Sequence, residues 1–354
     1  MTATSANGVG DSVDWDFAGT VGAMLARPPA PATEYTRRQA MEELAVAARK
    51  AEDPVRELTR LRIDRPVPDA RVVDRQEWIR AAAESMRVMT GLADKPGKPI
   101  IGRAITGRVT GAQTGAVLAF ISSGILGQYD PFSSVDGDRD GCLLLVYPNV
   151  IGVERQLRVS PSDFRLWVCL HEVTHRVQFT ANPWLAGHMS DALAVLISDL
   201  GTGTVGEMIA RLSEYARRRG SSPNDTGILG LVRALQSPPQ REALDKLMVL
   251  GTLLEGHADF VMDGVGPAVV PSVATIRARF DQRRNRRQPP LQRLLRALLG
   301  VDAKLSQYTR GRAFVDHVVG RVGMDRFNTV WSGPGTLPLP DEIENPQRWI
   351  DRVL

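Results

Sequence analysis

Residues 164–179 read FRLWVCLHEVTHRVQF and set His171, Glu172 and His175 in the order H-E-x-x-H. On a helix, positions four apart share a face, so both imidazoles can reach one metal ion while Glu172 stands beside them. The flanks agree with a helix. Ser160 is a candidate N-cap, Pro161 suits the first helical position, Asp163 lies near the positive end of the dipole, and Asn182-Pro183 ends the run. Zinc is the ion such a helix most often serves.

A catalytic zinc takes three protein donors and keeps one position for water, so a third donor must come from elsewhere. The candidate stretch is LLEGHADFVMD, residues 253–263. On a helix Glu255 and Asp259 share a face, whereas His257 points about 200° away from Glu255. Glu255 is therefore the expected third ligand, with Asp259 one turn on to accept the free ring N–H of a ligating histidine. His257 falls on the stripe of Leu250, Leu254 and Val261 and reads as a hydrogen-bonded core histidine. The bland alternative is a helix with two solvated acids, and the apolar neighbours on both sides argue against it.

The two-His-plus-Glu pattern resembles the gluzincin branch of zincin metallopeptidases, and Glu255-Gly256-His257-Ala258 resembles the EGWA-type third-ligand motif of some of its families. More closely, these two stretches, with ILGQYDPF at 125–132 and VDWDFAG at 13–19, look like the actinobacterial zincin-like metallohydrolases. Some members of that family are associated with biosynthesis of a deazaflavin coenzyme. The resemblance runs from about Val13 to the C-terminus. It implies a zincin-like fold and a zinc hydrolase without a settled substrate. The 80-residue gap from His175 to Glu255 exceeds the spacing of the best-known compact gluzincins and reads as holding a helical insertion.

A chain of 354 residues with 43 % hydrophobic and 24 % charged content can bury a substantial core, as one large domain or a core with lobes. A net charge of +4 is too mild to imply nucleic acid. Arg277, Arg279, Arg283, Arg284, Arg286 and Arg287, with Phe280 alone interleaved, read as a solvated helical face. Cys142 and Cys169 are too few for a disulfide framework, which fits a reducing, cytoplasmic setting. Residues 1–12 lack the basic start and apolar segment of a secretory signal and read as a disordered lead. The longest uncharged run, 109–129, is studded with glycine, so it reads as buried interior and no membrane span is expected.

The expected fold class is mainly α with a small β-sheet (α+β), a zincin-like architecture with helical N-terminal and C-terminal layers. A helical layer covers 13–95, with helices at 34–50, from Asp53-Pro54, and after an Asp74 cap. A Pro/Gly seam at 95–102 leads to a catalytic portion over 96–354 that carries a helical insertion at 183–240. CLLLVY at 142–147 reads as a strand, a candidate edge for pairing with an extended peptide. The acidic loop at 136–141 lacks the spacing of a calcium loop and reads as a solvated turn. Helices follow at 191–200, 205–219, 227–236, 241–263 and 304–322.

The chemistry expected of these residues is hydrolysis of a peptide or other amide. His171, His175 and Glu255 hold zinc, and Glu172 activates the water and later passes its proton to the leaving nitrogen. Tyr308 or Tyr129 is the candidate second donor to the developing oxyanion. Two rival classes are a binding or assembly protein on a zincin scaffold and a non-peptide amidohydrolase of cofactor metabolism. Glu172 argues against the first, since a purely structural site needs no base. The second rests only on the family association.

Overall fold

The computed structural model describes residues 13–90, 101–133, 141–198, 237–285 and 301–354. Asp14 opens α1 (Trp15–Leu25) by accepting the Phe17 amide at 2.9 Å, and Thr33 opens α2 (Glu34–Lys50) by accepting the Thr36 amide at 3.1 Å. α3 (Glu52–Thr59) ends at Arg60 in the left-handed conformation, with φ of 56°. A short strand, β1 (Arg71–Val73), then leads into α4 (Arg75–Met89). The start of α4 is a full capping box: Asp74 accepts the Glu77 amide at 2.8 Å, and Glu77 accepts the Asp74 amide at 2.7 Å. The N-terminal layer is thus helical as expected but also lends a strand to the sheet.

α5 (Ile101–Ser122) occupies most of the glycine-studded run. That run is not wholly interior, because Val109 and Val117 are exposed. Its glycines instead admit α1. A Cβ on Gly115 would lie 2.5 Å from the Ala18 carbonyl oxygen, and one on Gly111 the same distance from that of Asp14. No described helix is long and apolar enough to cross a membrane.

β2 (Gly127–Asp130) and β3 (Cys142–Val146) complete a three-stranded sheet in the order β1-β3-β2, with β3 parallel to β1 and antiparallel to β2. CLLLV is therefore the central strand and cannot be the edge expected of it. Leu143 and Leu145 face the main core, while Leu144 and Val146 face a second cluster with Trp78, Ile79 and Leu118. A strand covered on both faces has no reason to alternate, which explains its unbroken apolar run. Tyr147 leaves the sheet and begins α6 (Tyr147–Leu157).

α7 (Pro161–Ala181) runs through the main core, with α2, β2, α8 (Trp184–Ser198) and α9 (Pro238–Gly264) packed around it. Enclosure on several sides accounts for its apolar residues all round. Its two buried arginines are paired: Arg165 meets Glu154 at 2.8 and 3.1 Å, and Arg176 meets Glu52 and the Pro68 carbonyl. Ser160 holds the N-cap position but caps no helix amide; its hydroxyl lies 3.1 Å from that of Ser162. Asp163 in the first turn accepts from the Ser272 amide and hydroxyl at 3.0 and 2.6 Å.

The chain continues through α10 (Gly266–Val269), α11 (Val273–Asn285) and α12 (Val301–Phe327), the last broken at Gly323, and ends in α13 (Pro340–Glu344) and α14 (Pro346–Val353). Three of the arginines expected to form a solvated face are tied to neighbouring elements. Arg277 pairs with Asp259 and Asp263, Arg279 donates to the Leu157 and Arg158 carbonyls, and Arg283 donates to Gln156. Arg279 stays exposed while doing so, and the side chains of Arg284, Arg286 and Arg287 lie outside the described residues. The lead at 1–12, the seam at 95–100, the acidic loop at 136–140 and the helices expected at 205–219 and 227–236 lie outside the described residues.

Candidate metal centre

α7 presents His171 and His175 one turn apart, and α9 brings Glu255 up to both. The two Nε2 atoms are 3.1 Å apart, and Glu255 Oε2 lies 3.4 Å from that of His171 and 3.8 Å from that of His175. Zinc with tetrahedral donors at 2.0–2.1 Å sets neighbouring donors about 3.3 Å apart. These three edges bracket that value, and two nitrogens with one carboxylate oxygen are a donor set zinc accepts, so the residues fit the ion. Each side chain keeps 15–18 % of its surface exposed, which leaves the group accessible to water.

Burial pushes the His171 pKa down, but the hydrogen bond to Glu255 and the nearby Glu172 charge outweigh it and hold it above the ordinary value. The pocket thus favours a positive charge. Its other ring nitrogen, Nδ1, sits 3.2 Å from the Met262 sulfur. Asp259 does not take the supporting place expected of it. Its carboxylate accepts from Arg277 at 3.0 Å, and its carbonyl from Arg312 at 2.8 Å. A guanidinium is the stronger partner for a carboxylate than a neutral imidazole N–H, and Arg277 reaches Asp259 from α11.

His175 is held by a residue the sequence reading missed. Its Nδ1 lies 2.9 Å from Gln178 Oε1, and Gln178 Nε2 lies 3.1 Å from the Leu254 carbonyl and 3.0 Å from His257 Nδ1. Three positions separate Gln178 from His175, so they share a side of α7; that spacing was the available signal. His257 is fully buried beside Phe327 and Trp331, at ring distances of 5.4 and 5.5 Å. Burial, with a smaller effect of the His175 charge, lowers its pKa to about 3. It is the core histidine its helical position predicts.

Glu172 is buried and turned toward β2. A Cβ on Gly127 would lie 2.6 Å from Glu172 Cγ and 3.0 Å from Oε1, so the absence of a side chain at Gly127 is what admits the carboxylate. The Val146 amide donates to the Leu126 carbonyl at 2.8 Å. Given the register and the alternation of antiparallel pairing, Gln128 and Asp130 turn their main-chain groups to β3, while Gly127 and Tyr129 turn theirs outward. Among the described residues no strand pairs with that outer edge.

Tyr129, one candidate oxyanion donor, is buried in the main core with its ring 5.9 Å from that of Phe179. A Cβ on Gly141, whose φ is +71°, would lie 2.7 Å from its Cζ, so the hydroxyl end is packed against that glycine. Burial raises the Tyr129 pKa. Tyr308 belongs to α12, and its side chain lies outside the described residues.

The sequence model of a family described as zincin-like metallopeptidase matches residues 13–350. Among solved structures, the chain is similar to a protein from Chloroflexus aurantiacus described as a candidate hydrolase with a novel fold. The two are 29 % identical, the match covers 96 % of this chain and 98 % of that one, and the TM-score is 0.66. Among curated proteins no match is found.

Proposed function

The chain belongs to the zincin-like metallopeptidase family, and we propose that it is a zinc-dependent hydrolase of peptide or other amide bonds. The observation that carries this reading is the place of Glu172, next in sequence to one donor and beneath β2, beyond which no strand pairs among the described residues. His171, His175 and Glu255 would hold the ion. When bound, zinc polarises a carbonyl and lowers the pKa of a coordinated water toward about 7. Glu172 takes the proton from the attacking water and passes it to the leaving nitrogen. Its burial keeps that transfer out of bulk solvent.

Among the described residues no strand lies beyond β2, so the outward main chain at Gly127, beside Glu172, offers an extended substrate the pairing of an added strand, which favours a peptide over a compact amide. The test is metal analysis of the purified chain, joined to a screen of peptides and small amides. About one zinc per chain is expected, with hydrolysis that a chelator stops and added zinc restores. A chain that takes up no zinc, or that hydrolyses equally well after chelation, overturns the reading.

A further inference from the structure

The buried amide of Gln178 touches three groups that no motif connects: a metal-donor histidine, the main chain next to the third donor, and a core histidine. The Leu254 carbonyl can only accept, so the Gln178 atom 3.1 Å from it is the NH2 group. That fixes the whole amide. Oε1 is then the atom 2.9 Å from His175 Nδ1, and an oxygen there requires a ring N–H to donate to it. His175 consequently carries its proton on Nδ1 and presents a bare Nε2 to His171 and Glu255. The second NH2 hydrogen goes to His257 Nδ1 at 3.0 Å, which places the His257 proton on Nε2. All the polar capacity this wholly buried side chain directs at its neighbours is used.

The same amide sets a distance. Leu254 precedes Glu255 on α9, so one side chain ties the second histidine donor on α7 to the backbone beside the carboxylate donor. We propose that Gln178 is a positioning residue of the metal centre, selecting the tautomer of His175 and setting the spacing of α7 and α9 at the three donors. His257 serves as the acceptor that holds the amide in that orientation. This rests on the metal reading above. It also gives the buried His257 a use that metal ligation does not.

The test uses the full chain with its five histidines labelled with nitrogen-15, together with Gln178→Leu and Gln178→Glu. In the wild-type apoprotein, long-range nitrogen–proton spectra are expected to show His175 protonated on Nδ1; protonation on Nε2 overturns the proposal without any metal being added. Gln178→Leu removes the acceptor that Gln178 supplies to the ring N–H. It is expected to mix the His175 tautomers and to weaken zinc binding, measured by chelator competition, about 10- to 100-fold. In Gln178→Glu the carboxylate still accepts from His175, and His257 can move its proton to Nδ1 and donate as well. The carboxylate cannot donate to the Leu254 carbonyl, so zinc affinity is expected to fall, but less than in Gln178→Leu, with the His175 tautomer retained and the His257 tautomer reversed.

Equal loss of zinc affinity in the two variants, in step with their thermal stability and with the His175 tautomer unchanged, assigns Gln178 a packing role only and overturns the proposal. If neither variant folds, the wild-type spectrum decides alone. A wild-type chain that binds no zinc defeats the metal reading, and the apoprotein spectrum distinguishes that failure from this one.

Discussion

Gly256 and Gly311 bring the backbones of α9 and α12 together one residue beyond Glu255: a Cβ on Gly256 would lie 2.5 Å from the Gly311 carbonyl oxygen, and one on Gly311 3.2 Å from Gly256 Cα. The glycine of the EGHAD stretch is therefore there for helix crossing. Alanine at either position improves helix propensity by about 1 kcal/mol but forces two backbones apart. Gly311→Ala is expected to lose about 2 kcal/mol or more in urea unfolding. A variant as stable as wild type would show that the crossing has slack.

The residues around the centre should not contribute alike to zinc binding. His171→Ala and His175→Ala are expected to abolish stoichiometric zinc. Glu255→Ala should lower affinity far more than His257→Ala, because only Glu255 faces the two Nε2 atoms. Asp259→Ala removes a partner of Arg277 and should lower the melting temperature more than the zinc affinity. Competition titration alongside thermal unfolding reads both, and a metal loss at Asp259 as large as at Glu255 would refute the ordering.

Glu172→Gln keeps shape and hydrogen bonding but cannot take a proton at neutral pH. Zinc content and fold should be retained, while kcat on any substrate the screen yields falls by at least about 100-fold. Turnover at the wild-type rate removes Glu172 as the base and revives the scaffold-protein reading.

Gly127→Ala tests whether the strand and the base are matched in position. The added methyl competes with Glu172 Cγ for the same space. A shift of the carboxylate by about 1 Å is expected to cost between about 10- and 100-fold in kcat. Zinc content should not change. Unaltered kinetics would mean that Glu172 can move aside without consequence.

Acid should act on the apoprotein through His257. Its pKa is about 3 in the fold against 6.5 when unburied, so the unfolded chain binds the extra proton between those values. Stability from this group is complete above pH 6.5 and is lost as pH falls toward 3. From pH 7.5 to 4.5 the stability advantage of wild type over His257→Phe is expected to narrow by about 2–3 kcal/mol. Urea unfolding at the two pH values checks it, and a constant gap would sink the assignment.

Local chemistry was legible in the sequence where it acts over a few residues. The capping box at Asp74 and Glu77, the helix at 34–50 and the pairing of His171 with His175 depend on spacings of three or four. Helical phase separates Glu255 from His257, and it is Glu255 that lies beside the two Nε2 atoms. What escaped depends on distant partners. Asp259 is claimed by Arg277, 18 positions on, and nothing near Asp259 announces that competitor. β2 is only four residues long and glycine-led, so the real sheet edge carries little strand signal, whereas the conspicuous CLLLV is central. Gln178 is polar and buried among apolar residues, and only its three hydrogen bonds explain it.

His175 and Glu255 stand 80 positions apart on two neighbouring helices. An ion shared between them closes that stretch into a covalent-like ring. Because the donors come together only on folding, the ion would bind the folded chain and not the unfolded one, and each tenfold of free zinc above Kd would add about 1.4 kcal/mol to stability. The centre would then act as a clasp as well as a reagent. A protease cut between α8 and α9 would leave two pieces held by the packing of α7 against α9 and by the ion, and stripping the metal would loosen that hold.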